Sequence, residues 1–141
     1  MSIGHRDIIN RLKTLFGGCL KNDRHIPRIR KDLEKYLLLG FFDADGCITW
    51  GRRKDRNRLW HKISFTSSMS LLVGIQNILY SFSITTKLYK KANEICYVIE
   101  FCNQKDIINF LNIIYTDLVV LKRKYNKAQA LRLELEELGE A

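Results

Sequence analysis

Apolar positions recur along this chain with two alternating periods. Ile8, Ile9, Leu12, Leu15 and Phe16 fall at helical spacing until Gly17-Gly18 stops the pattern, and Pro27 lies in the loop that follows. Asp32 can cap a second helix, whose apolar positions include Leu33, Tyr36, Leu37, Gly40 and Phe41. After Asp45-Gly46 the period shortens to two. Ile48 and Trp50 then share one face of a strand, with Thr49, Gly51 and Arg53 on the other. Residues 51–58, GRRKDRNR, read as a polar hairpin tip, and the return strand sets Leu59, His61, Ile63 and Phe65 against Trp60, Lys62, Ser64 and Thr66.

The helical period returns at Met69, Leu72, Val73, Gln76, Leu79 and Phe82, with Ser67 or Ser68 available as the cap. A second hairpin is predicted from Ile84, Thr86 and Leu88 alternating with Thr85, Lys87, Tyr89 and Lys91. Asn93 marks its turn, and Ile95, Tyr97, Ile99 and Phe101 line its partner strand. Two helices close the chain, one through Ile107, Ile108, Phe110, Leu111 and Ile114, the other through Tyr125, Ala128, Leu131, Leu135 and Leu138. Two hairpins with helices on one face make an α+β domain on an antiparallel sheet. The other sheet face carries Arg53, Arg58, Lys62, Lys87 and Lys91, interleaved with Thr49, Ser64, Trp60 and Tyr89. A twisted ribbon with such a face is suited to the DNA major groove.

Composition sharpens that picture. The 141 residues support one domain, or a domain with a short arm, and carry 24 Lys+Arg against 15 Asp+Glu for a net charge of +9. A surplus of this size points to a polyanionic partner, nucleic acid first. It is unevenly placed. Residues 1–31 hold eight Lys/Arg against Asp7 and Asp23, and Arg52, Arg53, Lys54, Arg56 and Arg58 crowd one hairpin beside Asp55 alone. The chain therefore divides into a basic N-terminal arm or helical extension, 1–31, and a domain spanning 32–141. Cys19, Cys47, Cys96 and Cys102 form no zinc-binding spacing with each other or with His5, His25 and His61, and read as reduced thiols. No apolar run is long enough to span a bilayer, and the N-terminus lacks a secretory pattern, so an intracellular protein without a membrane partner is expected.

The segment with chemical content is Leu38-Leu39-Gly40-Phe41-Phe42-Asp43-Ala44-Asp45-Gly46. Gly40 inside an apolar helix costs about 1 kcal/mol relative to Ala, and lacking a Cβ it allows another helix to approach closely. Two carboxylates follow at the helix C-terminus, where the dipole disfavours negative charge unless a cation or cap compensates. Gly46 then lets the chain turn into the strand.

These nine residues resemble the LAGLIDADG homing endonuclease motif, matching at Leu38, Gly40, Asp43, Ala44, Asp45 and Gly46. The predicted element order is similar to that family's αββαββα core with its saddle-shaped antiparallel sheet, from residue 32 to about 138; residues 1–31 lie outside the resemblance. Leu39 stands where the motif has a small Ala.

The resemblance implies a homing-type endonuclease that hydrolyses one phosphodiester per DNA strand. It implies Asp45 as the catalytic, metal-binding acid and the Ala44 carbonyl as a second metal-facing group. Mg²⁺, or another divalent cation such as Mn²⁺, is the implied cofactor. Leu38, Leu39, Gly40, Phe41, Asp43 and Gly46 would form the helix that pairs with a second one. With one motif in the chain, that partner is a second copy, and a homodimer implies a roughly palindromic double-stranded target. Leu121-Lys122-Arg123-Lys124 fits the family's basic stretch ahead of the last helix, making Lys122 the candidate for transition-state charge stabilisation or water positioning. Ser67 stands near where some members hold a water with Gln. DNA contacts are assigned to Thr49, Arg52, Arg53, Lys54, Arg56, Arg58, Trp60, Lys62, Ser64, Lys87, Tyr89 and Lys91. An intron RNA maturase and a catalytically silent DNA-binding protein share the fold and remain the alternatives; retention of Asp43 and Asp45 favours the nuclease.

Overall fold

The computed structural model describes residues 5–15, 25–55, 58–92, 95–115 and 122–139. Phe16, Gly17-Gly18, Arg56, Asn93 and Leu121, each assigned a place above, lie outside the described residues. The elements are α1 (His5–Leu15), α2 (Glu34–Asp45), β1 (Gly46–Arg53), β2 (Arg58–Ser67), α3 (Met69–Ser81), β3 (Lys87–Lys90), β4 (Tyr97–Phe101), α4 (Gln104–Ile114) and α5 (Lys122–Gly139). From α2 onward this is the expected order.

The strands form one antiparallel sheet in the order β1-β2-β4-β3. Its register keeps Ile48 opposite Ile63, Phe65 opposite Ile99 and Ile63 opposite Phe101, so the apolar period-two positions all face the helices. Phe42 of α2, Phe65 of β2, Phe101 of β4 and Phe110 of α4 meet edge to face at ring separations of 5.3 to 5.9 Å. Around them pack Leu38, Leu72, Ile75, Leu79, Ile107, Leu111, Leu131 and Leu135, all fully buried. This core anchors α2 by Leu38, Leu39 and Phe42 and leaves the opposite side of that helix outward. The arm does not hang free throughout: a Cβ at Gly74 of α3 would sit 2.3 Å from Ile26 Cγ1, so Ile26 packs directly on α3, and Pro27 beside it is buried.

Several local expectations are corrected. Asp32 does not cap α2, because the Arg30 guanidinium takes its carboxylate in a two-pronged pair at 3.1 and 2.9 Å. Residues 31–33 instead form a 3₁₀ turn, and α2 begins at Glu34 without a side-chain cap. The first hairpin pairs further out than its polar composition suggests, up to Arg53 opposite Arg58. The second is shorter. Ile84 is drawn into the core and Thr86 Oγ1 accepts from Gln76 Nε2 at 2.9 Å, so β3 starts only at Lys87. Ile95 is 82% exposed and precedes β4. Ser68 is the residue before α3, but its backbone carbonyl, not its hydroxyl, bonds into the helix. No helix among the described residues is long and apolar enough to cross a membrane.

Candidate functional site

The two motif acids sit where α2 ends. Asp43 is half-buried, Ala44 and Asp45 are exposed, and the next residue opens β1. Gly46 is needed here for closeness, not for unusual dihedrals. Its backbone is extended (φ −78°, ψ 152°), but a Cβ would fall 2.2 Å from the Phe42 ring and 2.6 Å from the Phe42 carbonyl oxygen. The Gly46 N–H closes back onto that same carbonyl.

A helix C-terminus leaves carbonyls without intrahelical partners and gathers partial negative charge. In this chain the compensating cation is Lys124 of α5. Its Nζ donates to the carbonyl oxygens of Phe42 (2.5 Å), Asp43 (2.9 Å) and Gly46 (2.6 Å), and lies 5.2 Å from the Phe42 ring centre. Burial pulls the Lys124 ammonium below the usual lysine range, and the Asp43 carboxylate opposes that shift. Lys122, the lysine singled out from the sequence, is exposed at the first residue of α5. Two positions apart on a helix, the two side chains cannot point the same way. The L-K-x-K signal was present in the sequence, but it contains both lysines, and only packing of α5 distinguishes them.

Behind the helix end, Asp43 Oδ1 and Tyr115 Oη are buried without hydrogen-bond partners among the described residues. Burial, followed by the Asp43 charge, pushes the Tyr115 phenol up, and its ring meets Tyr125 edge-on at 5.0 Å. The donor set on the exposed side, the Asp45 carboxylate and the Ala44 carbonyl, is all oxygen and suits a hard cation such as Mg²⁺. It is also small. No group of three or more His, Cys, Asp or Glu gathers among the described residues, and a hard cation held here would need further oxygen ligands. The outward side of α2 and of the turn before it is open: Leu33 and Tyr36 are 43% and 46% exposed, and a Cβ at Gly40 would meet nothing within 4 Å among the described residues. Of the residues assigned to helix pairing, Gly40 faces outward and Phe41 is half-buried, whereas Leu38 and Leu39 belong to the chain's own core. Ser67, at the end of β2, is 2% exposed on the helix side of the sheet.

The outer sheet face gathers most of the cations assigned to DNA. Thr49 lies opposite Lys62, Gly51 opposite Trp60 and Arg53 opposite Arg58, while Ser64 and Lys87 both flank Glu100. A Cβ at Gly51 would lie 2.9 Å from Trp60 Nε1, so the indole lies over the glycine and stays 43% exposed. Arg53 and Arg58 are like charges directly opposite each other, an arrangement unfavourable until an anion arrives. Tyr89 shares this face, and Lys91 continues its alternation just past β3. Arg52 does not: it pairs with Leu59 on the helix side, exposed near the hairpin end, and Lys54 is exposed in the turn. On the inner side, Trp50 Nε1 donates to Glu134 Oε1 at 3.2 Å, tying β1 to α5.

Comparison with known proteins agrees with this geometry. A family described as "LAGLIDADG-like domain" matches residues 32–115. The chain is similar to a DNA polymerase of Methanocaldococcus jannaschii, 33% identical over 108 residues; the match takes in 70% of this chain but spans only 6% of that polymerase. Among solved structures, the homing endonuclease I-CvuI in complex with the I-CreI target is 20% identical with a TM-score of 0.62, covering 77% of this chain and 69% of that one. The group I intron-encoded homing endonuclease I-CeuI complexed with DNA is 14% identical with a TM-score of 0.66, covering 96% and 66%. The archaeal intron-encoded homing endonuclease I-Vdi141I complexed with DNA is 21% identical with a TM-score of 0.59, covering 77% and 72%.

Proposed function

This chain belongs to the LAGLIDADG-like domain family, and from that premise we propose that it is a homodimeric, divalent-metal-dependent, sequence-specific DNA endonuclease of the homing type. The observation that carries the reading is one junction. The exposed acid Asp45 closes α2, and the next residue begins β1, whose outer face belongs to the basic surface. An acid suited to phosphodiester chemistry is thereby fixed at the edge of a surface suited to duplex DNA.

In this reading the outer sheet face lies in the major groove, with Arg53, Arg58, Lys87 and Lys91 toward phosphates, Thr49, Trp60, Ser64 and Tyr89 nearer the base edges, and Lys62 between the two. Arg52, Lys54 and Arg56 would add phosphate contacts at the hairpin end, and the basic residues of 1–31 would add to the charge that attracts DNA. Asp45 and the Ala44 carbonyl would hold Mg²⁺ or Mn²⁺, which when bound supplies charge stabilisation at the scissile phosphate. Lys124 holds the helix end that aims both groups. Lys122 is placed at the solvent side of α5 to meet developing negative charge, and Ser67 is assigned to water positioning. A second copy packed on the open side of α2 would bring a second Asp45, one acid for each strand.

The test is cleavage of a library of duplex sites with purified protein and Mg²⁺. Asp45→Asn is expected to abolish cutting while leaving DNA binding in Ca²⁺ intact. Near-normal cutting by that variant removes Asp45 as the catalytic acid. A wild-type protein that cuts nothing yet binds structured intron RNA moves the assignment to the maturase.

A further inference from the structure

The outer face of the sheet is basic except near its centre. Glu100 lies on β4, one of the two inner strands, between Ser64 of β2 and Lys87 of β3. Its side chain is 18% exposed, so a carboxylate is held down among cations on a face otherwise suited to a polyanion. Tyr89 Oη donates to Glu100 Oε2 at 3.0 Å, and Lys62 Nζ lies 3.5 Å from the same oxygen. The three side chains come from three different strands, so each fixes the others across the sheet.

Two physical consequences follow. Lys62 has its charge answered by a carboxylate within the protein, and is held back from the DNA phosphates. Both contacts fall on Oε2, so Oε1 retains the capacity to accept a hydrogen bond. In the major groove a carboxylate accepts from the cytosine N4 amino group, is repelled by the acceptor edge of guanine and by thymine O4, and meets at adenine an N6 amino group with the repelling N7 acceptor beside it. Tyr89 and Lys62 hold that carboxylate in one position before any DNA arrives, so little ordering remains to be done on binding.

We propose that Glu100, set by Tyr89 and Lys62, is a specificity-determining residue that reads a cytosine amino group in the major groove. This rests on the DNA-binding reading of the sheet face and deepens it. The unit gives up one phosphate contact, that of Lys62, in exchange for discrimination among bases.

The experiment is selection of bound duplexes from a randomised library by the full chain in Ca²⁺, for wild type, Glu100→Gln and Tyr89→Phe. Wild type is expected to recover a motif with cytosine at one position of each half-site. Glu100→Gln should lose the preference there alone, and Tyr89→Phe should weaken it at the same position. On non-specific duplex, Glu100→Gln frees Lys62 for a phosphate, so the slope of log K against log salt should steepen by about one. Identical motifs for wild type and Glu100→Gln, or an unchanged salt slope, overturn the assignment. Preference lost at every position at once, in both variants, marks a structural role and also overturns it. If wild type recovers no motif at all, the DNA-binding reading itself fails.

Discussion

At the scale of single residues, the motif end of α2 is held by groups that are far apart in sequence. Asp43, Asp45 and Gly46 could be recognised from the chain because they are contiguous, and their chemistry depends on a helix end they themselves define. Lys124 could not, since it lies 82 residues from the Phe42 carbonyl it caps and its placement depends on how α5 packs. Its removal should be felt without any metal or DNA present. Lys124→Met leaves three partly buried carbonyls without that donor, and is expected to lower unfolding free energy by about 2 kcal/mol. Urea melts of wild type and variant in EDTA check this, and coincident melts would mean that water caps the helix equally well. Glu100 is equally hidden: the register puts it on the outer face, but nothing in its spacing links it to Lys62 and Tyr89.

At the scale of elements, period-two alternation predicts β1 and β2 because one face of each strand is buried, and a one-residue slip would reverse every side chain. The second hairpin is shorter than its alternation predicts, since Ile84 is apolar for the core and Ile95 is apolar yet exposed. Alternation alone does not separate those cases. The first hairpin also carries a pH dependence. His61 lies opposite Trp50, and burial lowers its pKa below the ordinary 6.5, with a backbone interaction at Cys102 acting the other way. Unfolded chain therefore takes up a proton, from about pH 6.5 downward, that the folded chain resists. Stability should be flat above that pH and fall below it. His61→Asn is expected to remove this part of the acid loss, as read by thermal melts between pH 7.5 and 5.5 compared with wild type. Parallel curves for both proteins would exclude His61 as its source.

At the scale of the whole molecule, the acid-bearing helix faces two ways: Phe42 and Leu38 into the core, Gly40 and the partly exposed Tyr36 outward. The proposed second copy covers that open side. Gly40→Lys is a sharp probe, because a Cβ there meets nothing within 4 Å among the described residues and the change replaces a helix-weakening glycine. Wild type is expected to sediment as a dimer, and Gly40→Lys as a monomer with an unchanged circular dichroism spectrum. A monomeric wild type would remove the paired-acid mechanism, and a dimeric variant would place the second copy elsewhere. The architecture itself could be read from sequence since each amphipathic segment has a single way to bury its apolar side; the open side of α2 could not, because exposure is a property of the assembled layers. One feature of that assembly also bears on redesign. Gly46 joins the acid to the first reading strand with no slack, wedged on the Phe42 ring and clasped by Lys124. Under the proposed function the span between the bases read and the bond cut is then a fixed ruler. Substitutions along the strands would retarget the protein while every product kept the same overhang length.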